Sequence, residues 1–179
     1  MPKTRVEIPK QEKVDELVEA AERRLRSGGY EALSVAAIAR ELGIAQNAIY
    51  WYFPSKDHLF VAALEGMLRG IAARKPSRSK DRAERVLWFI DQFAPVWKLQ
   101  GAMAERAQTS GVVADFVERL DELLSRMLSN AFRDHIPDAQ LPLAVQTFRA
   151  TVQGTLVQGL DKRERRRILR FTLERLITI

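Results

Sequence analysis

The 179-residue chain contains no cysteine. This absence excludes disulfide bonds, thiolate zinc sites and cysteine nucleophiles. Histidine is scarce too, since the chain has only His58 and His135, which are far apart and lack the spacing of metal ligands. A histidine-rich metal site is therefore not expected, and no cofactor is expected.

Long hydrophobic runs are also missing from the sequence. No apolar stretch approaches the roughly 18 residues of a membrane span. The first ten residues, MPKTRVEIPK, lack the apolar segment of a signal peptide. These two absences predict a cytoplasmic protein that makes no contact with a membrane.

Sequence motifs of common catalytic sites do not occur either. The chain has no histidine pair, no glycine-rich phosphate loop and no Gly-x-Ser-x-Gly turn. The neighbouring carboxylates Asp121 and Glu122 lie on a predicted helix in a pattern typical of a solvated surface. The sequence thus predicts a protein that is not an enzyme.

The positive charge is spread thinly along the chain. The formal net charge is +6, and residues 1–56, 57–100 and 101–179 contribute +1, +3 and +2 to it. Such an even distribution does not by itself identify a nucleic-acid-binding protein. Apolar residues make up 46% of the chain, which is enough for a packed core.

Apolar residues recur at intervals of three and four, which is the period of amphipathic helices, and no segment alternates as a strand would. The sequence predicts an all-α protein with about nine helices. Their predicted spans are 11–27, 34–42, 46–53, 55–74, 80–98, 102–109, 112–135, 140–160 and 162–178. The first three are short, and a polar, basic break at 76–79 follows the fourth helix.

Residues 34–53, SVAAIARELGIAQNAIYWYF, have the pattern of a helix-turn-helix motif. Ser34 suits the N-cap of the first helix, and Gly43 can adopt the positive φ that ends a helix. Only Ile44 and Ala45 separate that glycine from the second helix. The sequence therefore predicts two short helices joined by a three-residue turn.

The second helix of this motif carries Gln46, Asn47, Tyr50 and Trp51, which a helix this short does not need for its core. Glutamine and asparagine can pair with adenine in the major groove, and a small residue such as Ala48 can contact a thymine methyl group. Trp51 could instead pack against the first helix. Lys56, in the first turn of the fourth helix, suits a phosphate contact.

The run Ile38-Ala39, Leu42-Gly43-Ile44 and Ala48-Ile49-YWYFPSKDHL resembles the N-terminal DNA-binding domain of TetR-type transcriptional regulators over about residues 11–71. The resemblance implies a cytoplasmic homodimer that binds a palindromic operator in double-stranded DNA. It also implies a variable C-terminal domain that binds a small molecule, here residues 76–179, and most such proteins are repressors released by that ligand. The predicted DNA-binding residues are Ser34, Ala45, Gln46, Asn47, Ala48, Tyr50, Trp51, Tyr52 and Lys56.

Two positions depart from the family pattern. Ala45 stands where the family usually has a serine N-cap on its recognition helix, so this helix lacks a side-chain cap worth on the order of 1 kcal/mol. Asn47 stands where a small residue is most common, which makes it a candidate for reading this protein's own operator.

The C-terminal half is rich in aromatic and sulfur-containing side chains, which suit either core packing or an apolar ligand pocket. In the resembled family, helices five and seven line that pocket. The predicted ligand-binding residues are Trp88, Phe89, Phe93, Trp97, Met103, Phe116, Met127 and Phe148. Polar residues on the eighth helix, Gln146, Gln153, Thr147, Thr151 and Thr155, suit either a ligand or a subunit interface.

The ninth helix has an apolar stripe that needs a partner surface. Together with the eighth helix it predicts a homodimer interface of Phe148, Val152, Thr155, Leu156, Ile168, Leu169, Leu173 and Leu176. Asp161 is the predicted N-cap of the ninth helix, and Arg165-Arg166-Arg167 suits a solvated face or a second anion site. The leading hypothesis is a ligand-responsive DNA-binding repressor, with a helical interaction module as the non-enzymatic alternative.

Overall fold

The computed structural model describes residues 10–74 and 82–177, and in these ranges it contains nine helices and no strand. The all-α prediction is thereby confirmed. The helices are α1 (Lys10–Ala32), α2 (Val35–Glu41), α3 (Gln46–Tyr50), α4 (Lys56–Ala72), α5 (Arg82–Trp97), α6 (Gln100–Ala107), α7 (Gly111–Phe132), α8 (Leu141–Val157) and α9 (Lys162–Ile177). The predicted break at 76–79 lies outside the described residues.

The predicted and observed helices differ mainly at their ends. The regular path of α1 is interrupted at Gly28 and Gly29, where φ is −151° and +68°, and one further turn follows. The sequence placed the end of this helix at that interruption. Helix α3, the predicted recognition helix, ends at Tyr50, three residues earlier than predicted, because the chain turns through Trp51 and Tyr52.

The chain forms two compact units. One contains the residues up to Gly70 together with Gly101–Ala114, and the other contains Ile71–Gln100 and Asp115–Ile179. Residues 101–114, which include most of α6, therefore belong with α1–α4, although the predicted division assigned them to the C-terminal domain. Gly101 marks a break in the sequence at the start of this segment, but nothing in the local pattern indicates that the segment packs with the first unit.

In the first unit, α2 packs against α1 and α3. Leu17, Leu25, Ile38, Ile49 and Leu64 are among its fully or almost fully buried side chains. The carboxylate of Glu41 on α2 also accepts hydrogen bonds from Arg23 and Arg24 on α1, at 2.7 and 2.9 Å. Apolar burial and this ion pair together fix the orientation of α2.

In the second unit, α9 packs against α8 and α5. The core includes Phe132 and Phe148, whose rings meet edge to face with centroids 5.6 Å apart. Leu169 and Leu173 of α9 complete the same core. Beside it, Asp91 of α5 accepts hydrogen bonds from Arg165 and Arg166 of α9, at 3.3 and 2.6 Å.

These Arg165 and Arg166 contacts clarify the basic run at the start of α9. They are internal ion pairs, whereas Arg167 is exposed. Asp161 caps the helix as predicted, because its carboxylate accepts hydrogen bonds from the backbone N–H groups of Arg163 and Glu164. These backbone hydrogen bonds hold the pKa of Asp161 below its usual value.

A candidate DNA-binding site and an apolar chamber

The helix-turn-helix begins at a capped helix end. Ser34 has extended backbone angles, and its hydroxyl accepts a hydrogen bond from the N–H of Ala37 at 3.2 Å. At the other end of α2, Gly43 has a φ of +63°, which is a conformation that favours glycine. The N–H of Ile44 then donates to the carbonyl of Ala39 at 3.0 Å, so the turn predicted from Gly43 is present.

The recognition helix α3 is anchored by one apolar side chain. Ile49 is 1% exposed, whereas Gln46 and Asn47 are exposed and Ala48 is half-buried. Ala45 occupies the N-cap position and provides no side-chain hydrogen bond. The hydrogen-bonding face predicted to read bases therefore remains available at the surface of the unit.

The aromatic residues at the end of α3 are divided between solvent and protein. Trp51 is 87% exposed and Tyr50 is 40% exposed, while Tyr52 is half-buried. The alternative in which Trp51 packs as an anchor against α1 is wrong. An indole so exposed next to a recognition helix is available for contact with a macromolecule.

At the start of α4, the side chain of Lys56 is held in place by an aromatic ring from α1. Its Nζ lies 3.9 Å from the ring centroid of Tyr30, in cation–π geometry. The preceding residue, Ser55, accepts a hydrogen bond from the N–H of His58 at 3.3 Å and contacts the Nδ1 of that imidazole at 2.9 Å. Lys56 thus stands at a capped helix start, where a positive charge and backbone N–H groups favour an anion.

A buried carboxylate lies directly beside Lys56. Asp57 is 7% exposed, and its carboxylate accepts a hydrogen bond from the hydroxyl of Tyr30 at 2.6 Å. The guanidinium of Arg106 on α6 donates to both carboxylate oxygens, at 3.2 and 2.8 Å. We call Tyr30, Asp57 and Arg106 the Asp57 cluster.

The Asp57 cluster shifts the pKa values of its members. The hydrogen bonds from Arg106 lower the pKa of Asp57 to about 2, with Tyr30 and Ser110 contributing in the same direction against the effect of burial. Burial, reinforced by the hydrogen bond to Asp57, raises the pKa of Tyr30 to about 12. The cluster is therefore a charged carboxylate paired with a cation and a neutral phenol at neutral pH.

Sequence reasoning missed the Asp57 cluster. Asp57 belongs to the quoted motif, but its partner Arg106 follows 49 residues later and was placed in the other domain. Nothing in the local pattern around Arg106 distinguishes it from a surface arginine. Only the packing of α6 with the first unit brings the three side chains together.

The second unit contains an apolar chamber of about 410 Å³. Its lining comes from α5, α7 and α8 and comprises Arg85, Val86, Phe89, Ile90, Phe93, Trp97, Leu124, Met127, Leu128, Asn130, Ala131, Phe148, Arg149 and Val152. Five predicted ligand-binding residues are in this set: Phe89, Phe93, Trp97, Met127 and Phe148. The volume lies within the range of small-molecule sites.

Three predicted ligand-binding residues are not in the chamber wall. Trp88 contacts Phe89 edge to face, with ring centroids 5.2 Å apart, and does not reach the chamber itself. Met103 is buried with the first unit, and Phe116 is buried in the second unit outside the lining. An aromatic or sulfur side chain alone does not reveal which way it points.

The predicted dimer interface needs a larger correction. Phe148, Val152, Thr155, Leu169 and Leu173 are all buried within the single chain, so they have no surface to offer a second copy. The large apolar side chains that α8 and α9 do expose are Leu143, Val157, Ile168 and Phe171. Ile168 is the one predicted interface residue among these, while Leu156 and Leu176 pack partly buried against the core.

No helix within residues 10–74 and 82–177 is both long enough and apolar enough to cross a membrane. The short helices α2 and α3, with the exposed face of α3, form a helix-turn-helix, a motif that DNA-binding proteins place in the major groove. The family model for bacterial regulatory proteins of the tetR family matches residues 17–63. Residues 17–63 therefore carry the N-terminal domain of the TetR family of transcriptional regulators, as the resemblance in the sequence predicted.

Two relatives support this assignment by sequence. The chain is 28% identical over 142 residues to the HTH-type transcriptional repressor KstR of Rhodococcus jostii, covering 76% of this chain and 67% of that protein. It is 33% identical over 106 residues to the nucleoid occlusion factor SlmA of Haemophilus influenzae, covering 52% of this chain and 49% of SlmA. The match to SlmA thus spans about half of each protein.

A solved structure supports the fold over most of the chain. A putative transcriptional regulator from Saccharomonospora viridis, crystallised in complex with choline, superposes with a TM-score of 0.75. The match covers 92% of this chain and 96% of that one at 17% sequence identity. At this identity, the similarity concerns the fold alone.

Proposed function

We propose that this protein is a repressor that binds a palindromic operator as a homodimer. The observation that carries the proposal is the exposed face of α3, where Gln46, Asn47, Tyr50 and Trp51 stand beside the ring-held Lys56. Amide side chains on a short helix suit base edges, and the lysine suits a phosphate. KstR, a named repressor, supports the direction of regulation.

The symmetry of the operator follows from the proposed dimer. Two recognition helices related by a two-fold axis read two half-sites separated by about 34 Å, or a multiple of the helical turn. The exposed apolar residues Leu143, Val157, Ile168 and Phe171 on α8 and α9 are the surface that supports self-association. A homodimer of this kind turns two weak half-site contacts into one specific interaction.

The chamber of the second unit is the proposed effector site. Its lining is mostly aromatic and aliphatic, which suits a small apolar or amphipathic molecule. Such a ligand releases the repressor only if it binds one conformation of the dimer more tightly than the DNA-bound one. Helix α4 is the proposed transmitter, because it contributes residues up to Gly70 to the first unit and continues into the second.

Selection of DNA from a random pool tests this function directly. The full-length protein should enrich a palindromic sequence, and footprinting should show two protected half-sites of equal length. A matched Gln46→Ala, Asn47→Ala double variant should enrich a less defined sequence. Recovery of unrelated sequences by the wild-type protein would contradict the proposal.

A further inference from the structure

A second cavity adjoins the apolar chamber and has a different character. It measures about 700 Å³, is open to solvent on one side, and is lined by the end of α5, the first residue of α6, α7, α8 and the segment between α7 and α8. Its polar lining residues include Gln100, Ser125, Ser129, Asp138, Gln146 and Gln153. We call it the polar chamber, because amide and hydroxyl side chains make up much of its wall.

Trp97 and Arg149 line both chambers, so they form the boundary between them. The indole N–H of Trp97 is buried and has no hydrogen-bond partner within the described residues. A buried donor without a partner is destabilising, and such a donor is rare in a folded protein. An acceptor brought by a ligand to this boundary would satisfy the donor after a small movement of the ring.

Arg149 provides a second group at the boundary. Its guanidinium donates to the hydroxyl of Ser125 at 2.9 Å and pairs with Asp121, which is half exposed at the surface. The charged residues in the lining of the apolar chamber are Arg85 and Arg149, both cations. At the boundary of the two chambers, a positively charged head group would meet the guanidinium of Arg149, whereas an oxygen-bearing head group would meet its N–H donors. The carboxylate in the lining of the polar chamber, Asp138, is exposed and lies between α7 and α8.

We infer that the effector is an amphiphile that occupies both chambers, with its apolar body in the apolar chamber and an uncharged or anionic, hydrogen-bond-accepting head group between Trp97 and Arg149. This inference rests on the proposed function only in treating the cavity as an effector site. It also separates this protein from the structural neighbour crystallised with choline, which is a cation.

Probes of equal chain length and different head groups test the inference by calorimetric titration of the full-length, DNA-free protein. At least one of decanoate and decan-1-ol should bind at least tenfold more tightly than decyltrimethylammonium. Equal or tighter binding of the cation would overturn the inference. Binding of the alcohol but not the carboxylate would support a neutral oxygen head, and the reverse would support an anionic one.

Two pairs of variants assign the head group to the boundary residues. Trp97→Phe keeps one six-membered aromatic ring and loses the N–H donor, so it should weaken the oxygen-headed probes about fivefold. Trp88→Phe on the same helix, outside both chambers, should change their affinity less than twofold. If the two variants behave alike, Trp97 is not part of the site.

The second pair tests Arg149 without removing it. Asp121→Asn frees the guanidinium from its charged partner and should tighten the binding of decanoate about threefold. Glu122→Gln, the neighbouring exposed carboxylate, should leave it unchanged. Unchanged decanoate affinity in Asp121→Asn would contradict the role of Arg149.

Operator affinity is measured separately on the same variants. If the probes bind as expected but do not release the operator, the chamber assignment stands and the proposed induction fails. If no probe binds while the operator is still recognised, the effector inference fails and the DNA-binding function stands.

Discussion

The helix-turn-helix exposes its chemically distinctive residues, whereas the α8–α9 pair buries most of its own. In α3, Gln46, Asn47 and Trp51 are exposed and one isoleucine anchors the helix. In α9, Leu169 and Leu173 are 1% and 0% exposed, while Phe171 between them is 60% exposed. A polar helix face that makes no contacts within the protein stays exposed, whereas an apolar stripe packs first against the nearest hydrophobic core.

The largest predicted effect comes from the buried side of α9. Leu173→Ala should lower the free energy of unfolding by about 3 kcal/mol, because it leaves a cavity in a packed core. Phe171→Ala should change the stability of the single chain by less than about 0.5 kcal/mol and weaken self-association instead.

Denaturant unfolding at one fixed protein concentration and sedimentation at several concentrations separate the two α9 effects. If Leu173→Ala produces a stable monomer, Leu173 serves the dimer interface and not the core, and the contrast between the two regions is wrong. The contrast is also wrong if Phe171→Ala sediments as the wild type does at every concentration.

The next effect tests the Asp57 cluster in the first unit. Arg106→Met should lower the stability at neutral pH by more than the loss of a surface ion pair does, because Asp57 stays buried without its cation. Operator affinity should fall as well, since Asp57 neighbours Lys56. Arg126→Met, which removes a surface ion pair 3.5 Å long, should cost less than about 1 kcal/mol.

The stability that Arg106→Met loses should depend on pH in a defined direction. The folded-state pKa of Asp57 is about 2, below the ordinary value of 3.8, so its stabilising contribution is complete above about pH 4 and is lost as the pH falls through 2. The stability difference between wild type and Arg106→Met should therefore shrink below pH 4. A difference that stays constant from pH 7 to pH 2 would show that the ion pair is not its source.

Base reading and phosphate binding should respond differently within the helix-turn-helix. Gln46→Ala or Asn47→Ala should cost about 1–3 kcal/mol at particular operator positions and leave other sequences unaffected. Lys56→Ala should weaken all sequences alike and reduce the salt dependence by about one counterion per subunit. Binding to a panel of single-base operator variants at several salt concentrations measures both, and a changed base preference in Lys56→Ala would reverse these roles.

The smallest predicted effect concerns the uncapped start of α3. Ala45→Ser should add an acceptor for the free N–H groups of this helix and raise stability by about 0.5–1 kcal/mol. Ser34→Ala at the capped start of α2 should lower it by about 1 kcal/mol. Thermal unfolding of both variants tests the pair, and a destabilised Ala45→Ser would show that the extended backbone at this position does not accept a side-chain cap.

Sequence alone determined much of the first unit, because its signals are local. The cap at Ser34, the left-handed Gly43 and the uncapped Ala45 depend on the backbone within a few residues, and all three are present as expected. The helical periodicity likewise fixed the order of the helices. The exposure of Gln46 and Asn47 followed from a helix too short to bury them.

Tertiary structure alone decided the partners of residues distant in sequence. It placed Arg106 on Asp57, put residues 101–114 with the first unit, and sent Leu169 and Leu173 into their own core. It also placed Trp97 and Arg149 at the boundary of two chambers. Hydrophobic burial is non-directional, so an apolar side chain has no single partner until the helices have packed. A charged side chain likewise pairs with the opposite charge that this packing brings within reach.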